Sequence, residues 1–194
     1  MDYKLLEDII VNMKLTTEEQ RIEFMNKELK KYLGVELTEW MIENGFCSAP
    51  ASISHHGNYV GGLFDHSISV TACLLKYTER LGLVWGRKSS PVLIGMLHDL
   101  CKIDQYKIEP DYENNDVSFS YSNTSLVNGH SSKSLIYALQ HGMKLTEEET
   151  ICIMYHMGAF PGYDSEGYTK AVQKWSNVLY THTADMESSQ IWGV

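Results

Sequence analysis

Apolar residues recur at helical spacing along most of the chain. Amphipathic stretches are present near residues 3–14, 17–33 and 37–44, and Gly34 and Gly45 mark the ends of the second and third. Further helices are predicted over residues 63–81, 91–103, 129–141, 146–157 and 170–186. This pattern predicts an all-α fold class in which helices pack through their apolar faces.

The segment between residues 105 and 123 interrupts the helical pattern. Apolar residues alternate with polar ones around Tyr106 and Ile108 and again over 117–121, and Pro110 lies between the two runs. Alternation of this kind is typical of strands. We therefore expect a small irregular or β-hairpin excursion from the helical body.

The domain organisation predicted from the sequence is simple. No internal repeat, low-complexity stretch or Pro-rich linker divides the 194 residues, and this length is enough for one hydrophobic core. We expect a single compact unit in which N-terminal helices of residues 1–45 pack on a main domain of residues 46–194.

Composition places the chain among ordinary globular proteins, with 43% hydrophobic and 21% charged residues. No apolar run reaches the length of a membrane span, and the first residues lack a signal-peptide pattern. Cysteines are scattered, without a C-x-x-C pair, at Cys47, Cys73, Cys101 and Cys152. We therefore expect a cytoplasmic protein with reduced thiols and no membrane attachment.

The net charge of −9 bears on the partners of the protein. Binding to extended nucleic acid depends mainly on Lys and Arg at the phosphates, so this balance makes such a partner less expected. A small phosphorylated substrate is still compatible, because bound cations can invert the local field.

The dipeptide His98-Asp99 is the strongest candidate for chemistry. It follows Leu93, Met96 and Leu97, whose spacing predicts that the pair lies in a helix packed in the core. A carboxylate in that environment is costly unless it is neutralised, hydrogen-bonded or bound to a metal. The adjacent imidazole favours a metal ion.

Other histidine and aspartate residues fall at inward-facing positions or at helix ends. These candidates are His66, His130, His156 and Asp185. Imidazole and carboxylate are ligands of first-row divalent ions, which activate water and stabilise charge on phosphoryl oxygens. A single inward histidine is more often a satisfied core residue than a ligand, so the prediction depends on their convergence on His98-Asp99.

A series of short segments gives these candidates a context. In chain order they are residues 49–52, 55–59, 61–70, 97–102, 129–134, 155–158 and 184–185. Together they resemble the HD superfamily of metal-dependent phosphohydrolases over roughly residues 46–187. The resemblance is greatest to the uncharacterised bacterial and phage HD-domain hydrolases and more distant to the HD domain of a bacterial 3′–5′ exoribonuclease. It implies a compact helical fold and hydrolysis of a phosphate ester.

The resemblance also implies roles for individual residues. The ligands of one metal ion would be His66, His98, Asp99 and Asp185. The additional histidines of the dinuclear branch correspond to His130 and His156, and Asp99 would then bridge two ions with water or hydroxide held between them as nucleophile. Lys102, predicted to share a helix face with His98, would contact the substrate phosphate.

Several points stay open at this level. A mononuclear site is an alternative, with His130 and His156 then acting as acid, base or phosphate contacts. The ligand types suit one or two divalent ions, namely Mn, Fe, Ni, Co or Zn, with Mg as a further option. The family often has Gly at the position of Cys101, so the helix is expected to pack differently there.

Two further groups are candidates for contacts around the centre. His55 and His56 lie in a loop before the helix of His66, and one of them is expected at the rim of the pocket and in contact with substrate. His182 could replace Asp185 as a metal ligand, or it could donate or accept a hydrogen bond that orients one of the metal-ligating side chains. Aromatic residues in the loop 157–164 could stack on a base or only cover the core.

The leading hypothesis is a metal-dependent phosphohydrolase that acts on a small phosphate ester, most plausibly a nucleotide. One alternative is a phosphodiesterase or 3′–5′ exonuclease acting on single-stranded nucleic acid or a cyclic dinucleotide, although residues 1–45 are predicted to be helical rather than a nucleic-acid-binding module. Another is a non-catalytic HD module that senses a nucleotide. The sequence leaves the oligomeric state open.

Overall fold

Helices make up most of the structure, which confirms the all-α prediction. The computed structural model describes residues 1–111, 116–122, 127, 129–160 and 162–194. In chain order the α-helices are α1 Tyr3–Val11, α2 Glu18–Phe24, α3 Lys30–Leu33, α4 Val35–Glu43, α5 Gly62–Leu81, α6 Ser90–Leu97, α7 His130–Gln140, α8 Glu147–Met154, α9 Ser165–Lys174 and α10 Asn177–Glu187. In this part of the chain no helix is long and apolar enough to cross a membrane.

The predicted excursion is a two-stranded antiparallel hairpin. Strands β1 (Tyr106–Asp111) and β2 (Asp116–Tyr121) pair in a register that sets Tyr106 opposite Tyr121. The rings of these two tyrosines lie 5.5 Å apart, a cross-strand contact that stabilises the open end. Residues 112–115, which connect the strands, and residue 123, the last of the predicted excursion, lie outside the described residues.

The centre of the fold is the crossing of α5 and α6. Residues 62–74 of α5 and all of α6 are buried. Helix α6 is apolar apart from Ser90, whereas the buried part of α5 alternates apolar residues with Asp65, His66 and small hydroxyl residues. Gly95 makes the close approach possible, because a Cβ there would stand 2.7 Å from the main-chain nitrogen and Cα of Thr71. This crossing fixes the start of α5 relative to the end of α6.

Three predicted helices are divided, and those predicted over residues 3–14 and 146–157 end earlier, at Val11 and Met154. The stretch 17–33 contains a π-helical turn, Met25–Leu29, between α2 and α3. The stretch 170–186 is interrupted at Trp175, whose backbone is extended with φ −136° and ψ 104°. In the stretch 91–103 the α-helix ends at Leu97, and a 3-10 turn, Leu100–Asp104, follows.

The N-terminal helices contact the body of the fold through α5. Helix α1 packs against α5, and Arg21 of α2 forms a buried bidentate ion pair with Asp65 in the first turn of α5, with Nη2 to Oδ2 at 3.0 Å. Tyr59 donates a hydrogen bond to the same carboxylate. Gly61 leaves room for the guanidinium of Arg21, since a Cβ added at Gly61 would lie 2.3 Å from Cζ of that arginine.

Candidate metal centre

Five separate segments deliver the predicted ligands to one place. His66 lies early in α5, His98 and Asp99 follow the end of α6, and His130 is the first residue of α7. The remaining two are His156, just after α8, and Asp185, in the last turn of α10. The expectation that His98 and Asp99 lie inside a helix is wrong: His98 caps α6, and Asp99 has φ −109° and ψ 18°. This turn directs both side chains toward the other segments.

One group of ligand atoms surrounds His66. Its Nε2 lies 3.1 Å from Nε2 of His98 and 3.2 Å from Oδ1 of Asp185. Oδ2 of Asp99 is 3.5 Å from the same nitrogen and 3.6 Å from Nε2 of His98. Both histidines are fully buried, so the four side chains face one another rather than solvent.

A second group surrounds the other oxygen of Asp99. Oδ1 lies 2.6 Å from Nε2 of His130 and 3.5 Å from Nε2 of His156. The rings of His98 and His156 are 5.1 Å apart, so the two groups are adjacent. Asp99 is thus the residue that contacts both groups, one with each carboxylate oxygen.

Three of the histidine rings are held from behind by main-chain carbonyl groups. A carbonyl oxygen only accepts hydrogen bonds, so each Nδ1 carries the proton and each Nε2 presents a lone pair to the centre when the ring is neutral. The acceptors are Val194 for His66 at 2.8 Å, Gly95 for His98 at 2.9 Å and Ile153 for His156 at 2.7 Å.

The donor set fits a divalent ion. Nε2 of His156 is buried and has no hydrogen-bond partner in the described part of the chain. Such an atom is costly to bury unless it has a partner, and an ion near Asp99 would supply one. Among the described residues, two clusters of possible ligand atoms are compact enough to hold an ion, His66–His98–Asp185 and Asp99–Cys101–His130.

The charges around Asp99 are strongly coupled. Burial acts to raise the pKa of its carboxyl, but Lys102 and His130 outweigh this effect and hold the pKa well below its usual range. Burial acts to lower the pKa of His130, yet the adjacent Asp99 raises it to about 11. His98 behaves differently, because burial lowers its pKa to about 3 and keeps the ring neutral.

Lys102 is paired with Asp99 at 2.6 Å, from Nζ to Oδ2. It belongs to the 3-10 turn and not to the helix of His98, so the predicted shared helix face is wrong. Burial alone would lower the pKa of its ammonium, but Asp99 raises it. The lysine is therefore charged and lies at the wall of a pocket.

This pocket, of about 420 Å³, opens beside the clustered ligands and is large enough for a small ligand. It is lined by His56, Asp99, Lys102, His130, Met157, Phe160, His182, Asp185, Met186, Ser189 and Gln190. None of the described residues that line it belongs to β1 or β2.

The two loop histidines occupy different environments. His56 lines the pocket, its ring centre is 4.9 Å from that of His66, and its Nε2 is buried without a partner among the described residues. Burial lowers the pKa of His56 to about 4, so the ring is neutral. His55 is exposed and its Nδ1 contacts the hydroxyl of Ser54. Of the pair, His56 is in position to contact a ligand.

His182 acts on the main chain behind His156. Its Nδ1 donates a hydrogen bond to the carbonyl oxygen of His156 at 2.8 Å, and its ring lies beside Phe160. The carboxylate of Asp185, and not the ring of His182, lies in the cluster of ligand atoms.

The aromatic residues of the loop 157–164 have different positions. Phe160 lines the pocket beside the metal centre, and Tyr163 lines a neighbouring pocket. Residue 161 lies outside the described residues.

The sequence did not lead us to predict the main-chain carbonyl groups that accept hydrogen bonds from Nδ1 of the three histidines. For His98 and His156 a signal was available: each follows a helix end, and each bonds the carbonyl three residues earlier, one of those that a helix terminus leaves free. For His66 there was none, because Val194 is far away in the sequence.

Comparison with known proteins gives one informative similarity. The chain is 36% identical over 88 residues to the dihydroneopterin 2′,3′-cyclic phosphate phosphodiesterase of Methanocaldococcus jannaschii. The match covers 44% of this chain and 34% of the relative, so the chain spans about a third of the length of that protein. No family model and no solved structure matches the chain.

Proposed function

We propose that this protein is an HD-type, metal-dependent phosphohydrolase that cleaves a small phosphate ester. The observation that carries the proposal is the convergence of four histidine Nε2 atoms and two carboxylates on one buried centre beside a pocket. The HD domain is taken to span residues 46–194, with the helices of residues 1–45 packed against it. The similarity to a phosphodiesterase supports the same reaction class.

The ligands divide between two ions around Asp99. His66, His98 and Asp185 would hold one ion together with Asp99, and His130 and His156 would hold a second with the same carboxylate. When bound, such ions supply an activated water and positive charge against the phosphoryl oxygens. A mononuclear centre, with His130 and His156 in contact with substrate, is the alternative.

The chain's own residues receive and orient the substrate. Lys102 brings positive charge to the pocket of an otherwise acidic protein and is available to contact the phosphate. The neutral ring of His56 is placed to hydrogen-bond a hydroxyl or the leaving oxygen of the ester. Phe160 offers an aromatic surface to a base, which fits a nucleotide as substrate.

A cyclic phosphodiester is a second candidate for the bond cleaved. The similar archaeal protein is named for a 2′,3′-cyclic phosphate. A 2′,3′-cyclic phosphodiester carries one negative charge and has both ester oxygens on adjacent carbons of one small molecule, so it fits a pocket of this size better than an oligonucleotide does.

The proposal can be tested with the purified protein, stripped of metal and reloaded separately with Mn, Co, Ni, Fe, Zn or Mg. Substrates would be nucleoside monophosphates, 2′,3′-cyclic nucleotides and a single-stranded oligonucleotide. We expect metal-dependent hydrolysis of one of the first two classes by the wild type and by Asp8→Asn, a control at an exposed carboxylate, and none by Asp99→Asn.

Three results would contradict the proposal. Asp99→Asn could retain both its bound metal and its activity, which would refute the site. Preferred cleavage of the oligonucleotide would indicate an exonuclease. Nucleotide binding without turnover with every ion would indicate a sensing module.

A further inference from the structure

His130 differs from the other histidines of the centre in what holds its ring from behind. Its Nδ1 faces the sulfur of Cys101 at 3.4 Å, where the other three rings have a carbonyl oxygen. Its Nε2 faces Oδ1 of Asp99. In the described part of the chain, these two atoms are the only hydrogen-bond partners of the ring.

The thiol is itself held in a fixed position. Cys101 is 1% exposed and lies in the 3-10 turn that follows Asp99. Its main-chain N–H donates to Oγ of Ser134 at 3.0 Å, and that hydroxyl donates to the carbonyl of His130 at 3.5 Å. Ser134 is one turn along α7 from His130, so the sulfur and the imidazole are tied to the same helix turn.

The direction of the hydrogen bond follows from the chemistry of the ring. If Nε2 is to bind an ion, the proton of the neutral ring must be on Nδ1, which then donates to sulfur. Thiol sulfur is a weaker acceptor than a carbonyl oxygen, so the hydrogen bond at Nδ1 of His130 is the weakest of the four. Removing it would leave the ring free to rotate about its side-chain torsions.

We propose that Cys101 is a positioning residue that orients His130 and thereby sets how tightly the second metal ion is held. This inference rests on the metal centre proposed above. It assigns a role to the residue at which this sequence departs from the glycine often found in the family. The two histidines of the first ion, His66 and His98, are anchored by carbonyls and not by Cys101, so loss of the thiol should weaken binding of the second ion and not of the first.

The test is metal binding by the full chain, measured without reference to activity. Manganese would be titrated by calorimetry into metal-free protein, and retained ions would be counted by elemental analysis after dialysis. The variants are Cys101→Ala and Cys101→Val, which remove the acceptor, and Cys101→Ser, which keeps one. Cys47→Ala is the matched control, a buried cysteine in the core.

We expect Cys101→Ala and Cys101→Val to weaken the second ion about tenfold or more, as is typical when the group behind a ligand is lost. The first ion should bind as in the wild type, and Cys101→Ser should recover most of the lost affinity. Cys101→Val keeps the buried position filled with an apolar side chain, so it keeps the test valid if a cavity makes the alanine variant fold poorly.

Two outcomes would overturn the inference. The second ion could bind equally well in the wild type and in both acceptor-free variants, or both ions could weaken together, which would indicate a general loss of structure. A wild-type protein that binds no ion would instead refute the proposed metal centre. The two failures are therefore distinguishable.

Discussion

Gly95 lies directly against the backbone of Thr71, where α6 crosses α5, and no side chain fits between them. This contact sets the distance between His66, one turn before Thr71, and the His98-Asp99 pair, one turn after Gly95. The carbonyl of Gly95 also accepts the hydrogen bond from Nδ1 of His98. The same glycine therefore spaces the helices and orients one of the proposed ligands.

Gly95→Ala should destabilise the protein by about 1–3 kcal/mol, because the added methyl group overlaps main-chain atoms that cannot move aside. Separation of the helices should also weaken metal binding. Urea unfolding and manganese titration would measure the two effects. The double variant with Thr71→Ala should not recover stability, since the clash includes the nitrogen and Cα of Thr71; full recovery would contradict this explanation.

His56→Ala should lower kcat/KM by about tenfold, the loss expected when a hydrogen bond to a hydroxyl or to the leaving oxygen of the ester is removed. His55→Ala is the matched control, because that residue is exposed beside the pocket loop. Steady-state kinetics on the substrate identified by the hydrolysis assay would compare them. Equal losses of kcat/KM in the two variants would show that His56 makes no contact with the substrate that His55 lacks.

Lys102→Met should lower kcat/KM by about a hundredfold while bound metal is retained. The substitution keeps a side chain of similar length but removes positive charge from the pocket, and such charge stabilises the transition state of phosphoryl transfer. Elemental analysis and kinetics would be measured on the same preparation. Lys107→Met, at an exposed position of β1, serves as control; loss of metal from Lys102→Met would instead indicate a role in folding the centre.

Glu149 should make stability depend on acid pH. Burial alone would raise the pKa of its carboxyl, but hydrogen bonds from Arg87, from the main chain of Thr146 and from Ser90 outweigh burial and lower it. The folded pKa therefore lies below the unfolded value of about 4.3. The stabilisation is present above that value and is lost as the pH falls through the folded pKa.

The measurement for Glu149 is urea unfolding of Glu149→Gln and of the wild type at several pH values. The variant should be less stable by about 1–3 kcal/mol at pH 7, and the difference should shrink in acid. Glu147→Gln, in the same first turn but exposed and paired with Lys174, should have little effect at any pH. A difference that is constant with pH would refute the assignment to the ionised carboxylate.

The sequence predicted the helical fold and the hairpin because both depend on local periodicity. It also selected His98-Asp99, since a carboxylate after an apolar run needs a partner wherever the chain folds. It could not place the end of α6. The 3-10 turn begins where His98, Asp99 and Lys102 contact residues from other segments, and a local pattern does not contain those contacts.

The choice between similar residues also depended on the tertiary structure. His55 and His56 are neighbours in one loop, yet only the second faces the pocket, because the loop packs against the start of α5. His182 and Asp185 lie one turn apart on α10, and the crossing of that helix over α5 brings the carboxylate to His66.

By itself, the sequence determined which side chains were available for a metal centre and in or next to which helices they would lie, because side-chain chemistry and apolar spacing are local properties. For His66 and His130 the tertiary structure decided which ring nitrogen faces inward, since the carbonyl of Val194 and the thiol of Cys101 come from other segments. It also gave Asp99 contacts on both of its oxygens. A carboxylate acquires that position only when separate helices meet around it.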